Sequence, residues 1–433
     1  MSVQFDRSTS RSRLSFILAV ACGLFVRVGC LAGVEYTFEQ GDAASYRASA
    51  LTLVDHRVFS MSEDAPYEPT AYRPPGYTAF LAMVAMVSRS TLAPQLLQIL
   101  ISLASAILLS LVARRVAPGT EEVVLWVAVL NPFDAVYAAS GLSECVTTAL
   151  LVAVAAAFTL LVGSRRLLVA GALLGLLCLF RDIYLALIPF GCATYLLLPG
   201  REGLRQRVGE VAAVGLLSAL VIAPWTARNF VQFHHPIPVS AGRLGYSLWM
   251  GTWATDGAFT AHDATGRTYP DTAFLTAQDR EAVMDAGADV ATSEPIFKRL
   301  FAERMRAEPG KVVLRWLVRW PRLWLGTRFD IFELNRTAMP AGSMRWKLAK
   351  AALFGLNAMF LVGAAVGAVI SWRARSNVRW ALLPIAFTSL IYLPLNSFEN
   401  RYSQPMFPFL TLLLAVGAVA MGSRWLKQRE GRA

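Results

Sequence analysis

Long apolar stretches separated by short charged ones dominate the chain. The apolar runs cover residues 14–34, 74–88, 92–113, 122–140, 145–162, 167–180, 183–198, 208–226, 347–371, 380–396 and 404–423. A helix needs about 20 apolar residues to cross the hydrocarbon core of a bilayer, and several of these runs are shorter. Pro and Gly interrupt many of them, which a packed membrane bundle tolerates because neighbours satisfy the freed backbone groups. The pattern predicts an all-α polytopic membrane protein with about 10–12 transmembrane helices.

Two polar stretches stand apart. The first runs from Glu35 to Gly76, between the first two apolar runs. The second, 227–346, is dense in Gly, Asp and Thr from Gly251 to Asp289 and turns helical from Glu294, with a break at Glu308-Pro309. Trp316, Trp320 and Trp324 follow at four-residue spacing beside Arg315, Arg319 and Arg322. Trp and Arg so spaced predict an interfacial helix near 311–327, because three arginines at mid-membrane would be costly for an eleventh span. Three parts result: an N-terminal transmembrane module, 1–226, with a first extracytoplasmic loop, 35–73; a larger extracytoplasmic loop of short helices, 227–346; and C-terminal transmembrane helices, 347–433.

Composition supports the membrane reading. Of 433 residues, 55% are hydrophobic and 16% charged, against roughly 25% charged in soluble domains. The net charge of +12 does not point to nucleic acid, because the arginines cluster at the ends of apolar runs, where they anchor helices at the interface. Cys22, Cys30, Cys145, Cys178 and Cys192 lie in or beside apolar runs without a C-x-x-C pair, so neither a disulfide framework nor a zinc site is indicated. Arg7, Arg11 and Arg13 precede the first apolar run, which is long for a signal peptide and lacks a small-residue cleavage site before Glu35. It reads as a retained helix.

Positive loops set the orientation. The N-terminus, Arg165-Arg166, Arg201 to Arg207, Arg373 to Arg379 and the tail from Arg424 are basic and read as cytoplasmic. The first loop, 227–346 and 396–404 then face the other side, the periplasm in a bacterial inner membrane. The front half resists this scheme. Eight runs precede the long loop where an odd number is required, and Arg114-Arg115 should be inside. That leaves one full crossing between Arg73 and Arg114.

The candidate chemistry gathers on the outer face. Asp42, in Gly41-Asp42-Ala43-Ala44-Ser45-Tyr46, is either a helix cap or a general base placed to take a proton from a hydroxyl. Tyr72-Arg73-Pro74-Pro75-Gly76 puts Arg73 at a helix N-terminus, which suits a phosphate. Snorkelling to the interface is the plainer role. Glu68 could pair with Arg73 or act as a second acid. Arg228 ends the span before the long loop, and Asn396 to Tyr402 brings Glu399, Arg401 and Tyr402 before the last span. Ser143-Glu144 and Arg181-Asp182 fall on the same face, as functional groups or as ion pairs between helices. The four histidines, His56, His234, His235 and His262, lack ligand spacing, so no cofactor is required and a divalent metal is not indicated. No P-loop, G-x-G-x-x-G or G-x-S-x-G occurs.

In order, GDAASY, PTAYRPPGYTAFLA, PWTARNFVQFHHPIPVSAGRLGYSLWMGT and FENRYSQPMFPFL resemble the polytopic GT-C glycosyltransferases. The resemblance is to the branch holding the protein O-mannosyltransferases and the aminoarabinose transferase of lipid A, over roughly residues 14–420. It implies inverting transfer of a sugar from a polyprenyl-phosphate donor to a lipid, glycan or protein hydroxyl, outside the membrane. The family's first-loop acid falls on Asp42, and its basic residue before the Pro pair falls on Arg73. Where the mannosyltransferases often carry two adjacent acids, this chain has Asp42-Ala43. Tyr46, Tyr72, Arg228, Glu68, Glu399, Arg401 and Tyr402 are the further substrate-binding candidates. A transporter or flippase, or a non-catalytic polysaccharide-assembly protein, are the other classes. The first predicts mid-membrane charges and repeat symmetry, and the second an Asp42 that can be replaced without loss.

Overall fold

The computed structural model describes residues 7–35, 38, 41–62, 64–198, 202–241, 244–252, 260–262, 268–270, 290–329, 333–334, 339–395 and 400–430. Helices carry the fold. They are α1 (Arg7–Gly33), α2 (Gly41–His56), α3 (Pro75–Val87), α4 (Leu92–Val116), α5 (Glu121–Leu130), α6 (Pro132–Ala138), α7 (Glu144–Leu160), α8 (Gly163–Phe180), α9 (Leu187–Leu197) and α10 (Leu204–Phe233). There follow α11 (Leu244–Gly251), α12 (Val290–Ala307), α13 (Pro309–Arg319), α14 (Pro321–Trp324), α15 (Met344–Arg373), α16 (Leu382–Ile391) and α17 (Phe407–Glu430). Single 3₁₀ segments, Asp182–Leu185, Asn377–Ala381 and Asn400–Met406, lead into α9, α16 and α17. Among the described residues the extended elements are two short antiparallel ladders, Val34–Glu35 with Glu333–Leu334 and Thr260–His262 with Thr268–Pro270.

Six helical segments are long and apolar enough to cross a membrane: Arg13–Gly33, Leu92–Val116, Gly163–Phe180, Leu204–Phe233, Met344–Arg373 and Asn400–Gly422. This is an all-α, multi-pass membrane protein. Four shorter apolar segments accompany them: Pro75–Val87, Glu144–Leu160, Asp182–Leu197 and Asn377–Ile391.

The run expected over 122–140 breaks at Asn131-Pro132, where the Asn131 side chain accepts from the Phe133 amide and starts a second helix. Pro224 does not end α10, which continues past residue 226 to Phe233. The segment expected near 311–327 is two helices rather than one, because Pro321 starts a new turn after Trp320. On α13, Val313, Leu314, Leu317 and Val318 are exposed. Its other side holds α11, Arg315 donating to the Thr252 carbonyl (2.7 Å) and Trp316 to the Gly251 carbonyl (3.0 Å). An apolar face opposite a pinned polar one is the form of a helix lying in a bilayer surface.

The front half is arranged differently from a row of hairpins. α2 and α3 run side by side in the same direction. Asp42 at the start of α2 bonds Arg73 at the start of α3, and Asp55 near the end of α2 bonds Arg89 just past α3. α4 starts beside Arg89 and runs back toward that first end, where Tyr77 donates to Gln98, which donates to the Ser140 carbonyl (2.5 Å). At the opposite end of the bundle, Ser15 of α1 bonds Glu122 and accepts from Trp126 of α5. Arg27, 1% exposed, fixes α1 inside the bundle by donating to Ser102 of α4 and to the Val129 carbonyl of α5. A buried guanidinium needs such partners.

In the back half, α15 and α17 touch backbone to backbone. A Cβ on Gly367 would run into the Leu413 carbonyl. Small residues allow this approach, which gives membrane helices their packing energy. Gly367→Ala should lower stability by about 2–4 kcal/mol. Gly355→Ala, on the same helix but facing open space, should stay within about 0.5 kcal/mol. Unfolding in detergent micelles compares the two.

Candidate active site

Local sequence places each charged group. Gly41 turns into α2 with φ +53°, a conformation that favours glycine, and puts Asp42 in the first turn. Pro74 (φ −58°) and Pro75 preset the entry to α3, so Arg73 leaves that helix start in a fixed direction. Gly76 lets α3 press on the end of α8: a Cβ there would stand 2.8 Å from the Leu179 carbonyl. That contact brings Arg73 near Arg181, the residue that ends α8. Arg401 and Tyr402 come from the 3₁₀ segment Asn400–Met406.

These side chains meet around one carboxylate. Arg73 Nη2 donates to Asp42 Oδ1 at 2.5 Å, and Arg401 Nη1 donates to Asp42 Oδ2 at 2.8 Å. The Arg73 guanidinium also lies over the rings of Tyr46 (5.0 Å) and Tyr72 (5.2 Å). Arg401 lies over Tyr402 (5.1 Å), whose ring stacks on Tyr392 (5.1 Å between centroids). Burial by itself would raise the Asp42 pKa. The charges of Arg401 and Arg73 and their hydrogen bonds outweigh burial and hold the carboxyl well below the usual carboxylate range.

The clamp borders a polar cavity of about 340 Å³. Asp42, Tyr46, Tyr72, Arg73, Arg401 and Tyr402 line it, as do Glu144, Arg181, Asp182, Ser240, Tyr246 and Tyr392. Its size falls within the roughly 300–1,000 Å³ of small-molecule sites. Glu144, almost wholly buried at the start of α7, accepts from Arg181 at 3.0 Å. Ser240 donates to Asp182.

No family model, curated protein or solved structure matches the chain.

Two expected residues stand elsewhere, and a third is not described. Arg228 does not line the cavity: it donates to the Thr70 carbonyl (2.9 Å) and to Asn229 (3.0 Å), over the Trp225 ring. It braces the loop that leads to Arg73. Glu68 is exposed and away from the cavity. Glu399 lies outside the described residues. Tyr392, Tyr246 and Ser240 line the site without standing out in the sequence; Tyr392 lies inside the apolar run 380–396 and carries no local mark of function. Among the described residues no three His, Cys, Asp or Glu side chains gather as a metal site.

Two further features support the site. Arg328, wholly buried with φ +59°, uses every guanidinium N–H. It donates to Asn357, the Asn400 and Trp324 carbonyls, Ser403 and Gln404. Gln404 in turn donates to Asp134 of α6 at 2.6 Å. This network fixes the segment that carries Arg401. The second feature is an apolar cleft of about 390 Å³ along the same helices. Leu151, Val154 and Phe158 of α7 line it beyond Glu144, and Leu187 and Pro384 line it beyond Asp182 and Tyr392. Its far end carries the Arg166–Glu210 pair (2.8 Å) and Tyr195.

The clamp should stabilise the fold in a pH-dependent way. The folded-state pKa of Asp42 lies below its unfolded value, so the contribution is fully present above about pH 4 and fades as acid protonates the carboxyl. Asp42→Asn should lower the melting temperature at pH 7, and the gap from the parent protein should narrow below about pH 4. Melting curves of both proteins between pH 3 and 7 check this.

Proposed function

We propose that this protein is an integral-membrane glycosyltransferase. It moves a sugar from a polyprenyl-phosphate donor to a hydroxyl of a lipid, glycan or protein, with inversion, at the periplasmic face of a bacterial inner membrane. The observation that carries the reading is one carboxylate held between two guanidiniums beside a polar cavity, with an apolar cleft along the same helices. The sequence resemblance supports the same reaction.

The residues take separate roles. The donor's phosphodiester is an anion and needs positive charge as the sugar leaves, which Arg73 and Arg401 offer. The phosphate is already a good leaving group, so no general acid is needed, unlike glycosidases with two carboxylates. Asp42 accepts the acceptor hydroxyl's proton while the hydroxyl oxygen bonds to the anomeric carbon. The bond from that carbon to the phosphate oxygen breaks, and its electron pair leaves with the polyprenyl phosphate. Tyr46, Tyr72, Tyr392 and Tyr402 offer aromatic faces and hydroxyls for the sugar. The apolar cleft suits the polyprenyl tail.

The proposed topology has ten crossings: α1, α4, α5 with α6, α7, α8, 182–197, α10, α15, 377–391 and α17. α2 and α3 then lie side by side on the outer surface, and the parity conflict of the front half disappears. Arg114-Arg115 falls inside, as the charge rule requires. Glu144, Arg181 and Arg401 fall outside with Asp42. In a background lacking the five native cysteines, Ser90→Cys should react with an impermeant thiol reagent from outside and Arg115→Cys only from inside. Labelling of both from one side would overturn this arrangement.

Transfer is tested in purified protein reconstituted with polyprenyl-phosphate sugars. Asp42→Asn should cut turnover by about 10²–10⁴-fold, the scale of a lost general base. Arg73→Ala should weaken donor binding by about 10–100-fold, the worth of one charge-assisted contact. A turnover unchanged in Asp42→Asn would remove Asp42 from the chemistry.

A further inference from the structure

The base proposed above is held in a state unfit for its task. Both oxygens of Asp42 are engaged by guanidiniums, at 2.5 and 2.8 Å. A carboxylate paired twice is a poor proton acceptor. The two guanidiniums are also the cavity's best phosphate contacts. Each holds Asp42 through one terminal nitrogen, and a phosphate that bridges the two guanidiniums through those same N–H groups has to take them from the carboxylate.

The surroundings are built for an anion larger than a side-chain carboxylate. Arg73 Nε and Arg181 Nη1 are buried and make no hydrogen bond among the described residues. Arg181 shares its charge with Glu144, and the Arg73 ring stack on Tyr46 and Tyr72 fixes one plane of approach. The groups facing Asp42 are thus Arg73 from the loop before α3, Arg401 from the segment before α17 and Tyr46 from its own helix. Arg181 and Glu144 stand across the cavity.

We infer that Asp42 holds the place of the donor phosphate until a donor binds, and that donor binding, by drawing Arg73 and Arg401 onto the phosphate, releases Asp42 to act as the base. The inference rests on the glycosyltransferase reading and adds an order to it: donor first, acceptor activated second. The device keeps the enzyme from activating hydroxyls, water included, when no sugar is bound. The phosphodiester replaces one negative charge by another, so the guanidiniums stay paired throughout. The freed carboxylate then faces the phosphate's charge instead of two cations, which restores its basicity.

The test compares affinity with turnover. Parent protein and Asp42→Asn are placed in phosphatidylcholine nanodiscs and titrated with a polyprenyl monophosphate, read by thermal shift and by a fluorescent-lipid displacement assay. With the competing carboxylate neutralised, Asp42→Asn should bind the polyprenyl monophosphate about tenfold tighter, the scale of removing one nearby like charge, while its turnover falls by about 10²–10⁴-fold. Equal or weaker binding by Asp42→Asn, in a parent protein that binds and transfers, overturns the competition and leaves the glycosyltransferase reading standing. A parent protein that neither binds the lipid phosphate nor transfers sugar overturns both.

A second measurement needs no variant. In the parent enzyme, kcat reports the donor complex and kcat/KM for the donor reports the free enzyme. The acid limb of kcat should lie at least about one pH unit above that of kcat/KM, because Asp42 is released only in the complex. Coincident limbs overturn the inference.

Discussion

Everything at the candidate site hangs on one carboxylate between two guanidiniums. Asp42 follows the first helix and Arg401 precedes the last, 359 residues away along the chain, and Arg73 closes the group from the first loop. Three like-charged or half-paired groups could not share a buried pocket. Two cations around one anion can, because each Asp42 oxygen faces a donor. The cavity around them is lined by three arginines and three carboxylates, Asp42, Glu144 and Asp182, so an incoming anion has to compete with Asp42 for Arg73 and Arg401.

The rest of the bundle keeps this contact in register. Among the described residues Arg328 has no carboxylate at hydrogen-bonding distance, yet every N–H is satisfied, mostly by the segment carrying Arg401. A wholly buried cation in the left-handed backbone region is costly unless its surroundings specify it completely. The Gln404–Asp134 bond then ties that segment to the N-terminal half. On the other side, Pro74, Pro75 and Gly76 seat α3 on the end of α8. Position at the site therefore comes from rigid helix ends rather than from long loops.

Much of the fold was legible along the chain. The apolar runs located the long helices within a few residues, because hydropathy must match a bilayer whatever the partners are. Asp42 and Arg73 were legible too, since each sits where a helix begins with Gly or Pro marking the turn. The direction of α3 was not. Its residues are as apolar as those of a span, and only the paired contacts at both of its ends, Asp42–Arg73 and Asp55–Arg89, set it beside α2. Arg228 misled for a related reason: its position at a helix end suited a phosphate contact, but the aromatic rings around it and the Thr70 carbonyl claim its guanidinium.

Sequence alone determined that this is an all-helical membrane protein with its charged chemistry gathered toward particular helix ends. Both follow from local rules: apolar length against bilayer thickness, and the need of charge to leave hydrocarbon. Only the tertiary structure decided which charges meet. Glu144 with Arg181 and Tyr392 under Tyr402 join neighbouring segments, while Arg401 on Asp42 joins the two ends of the chain. Helix periodicity fixes the face of each residue, but the partner across that face depends on the packing of whole helices, a property of the assembled bundle.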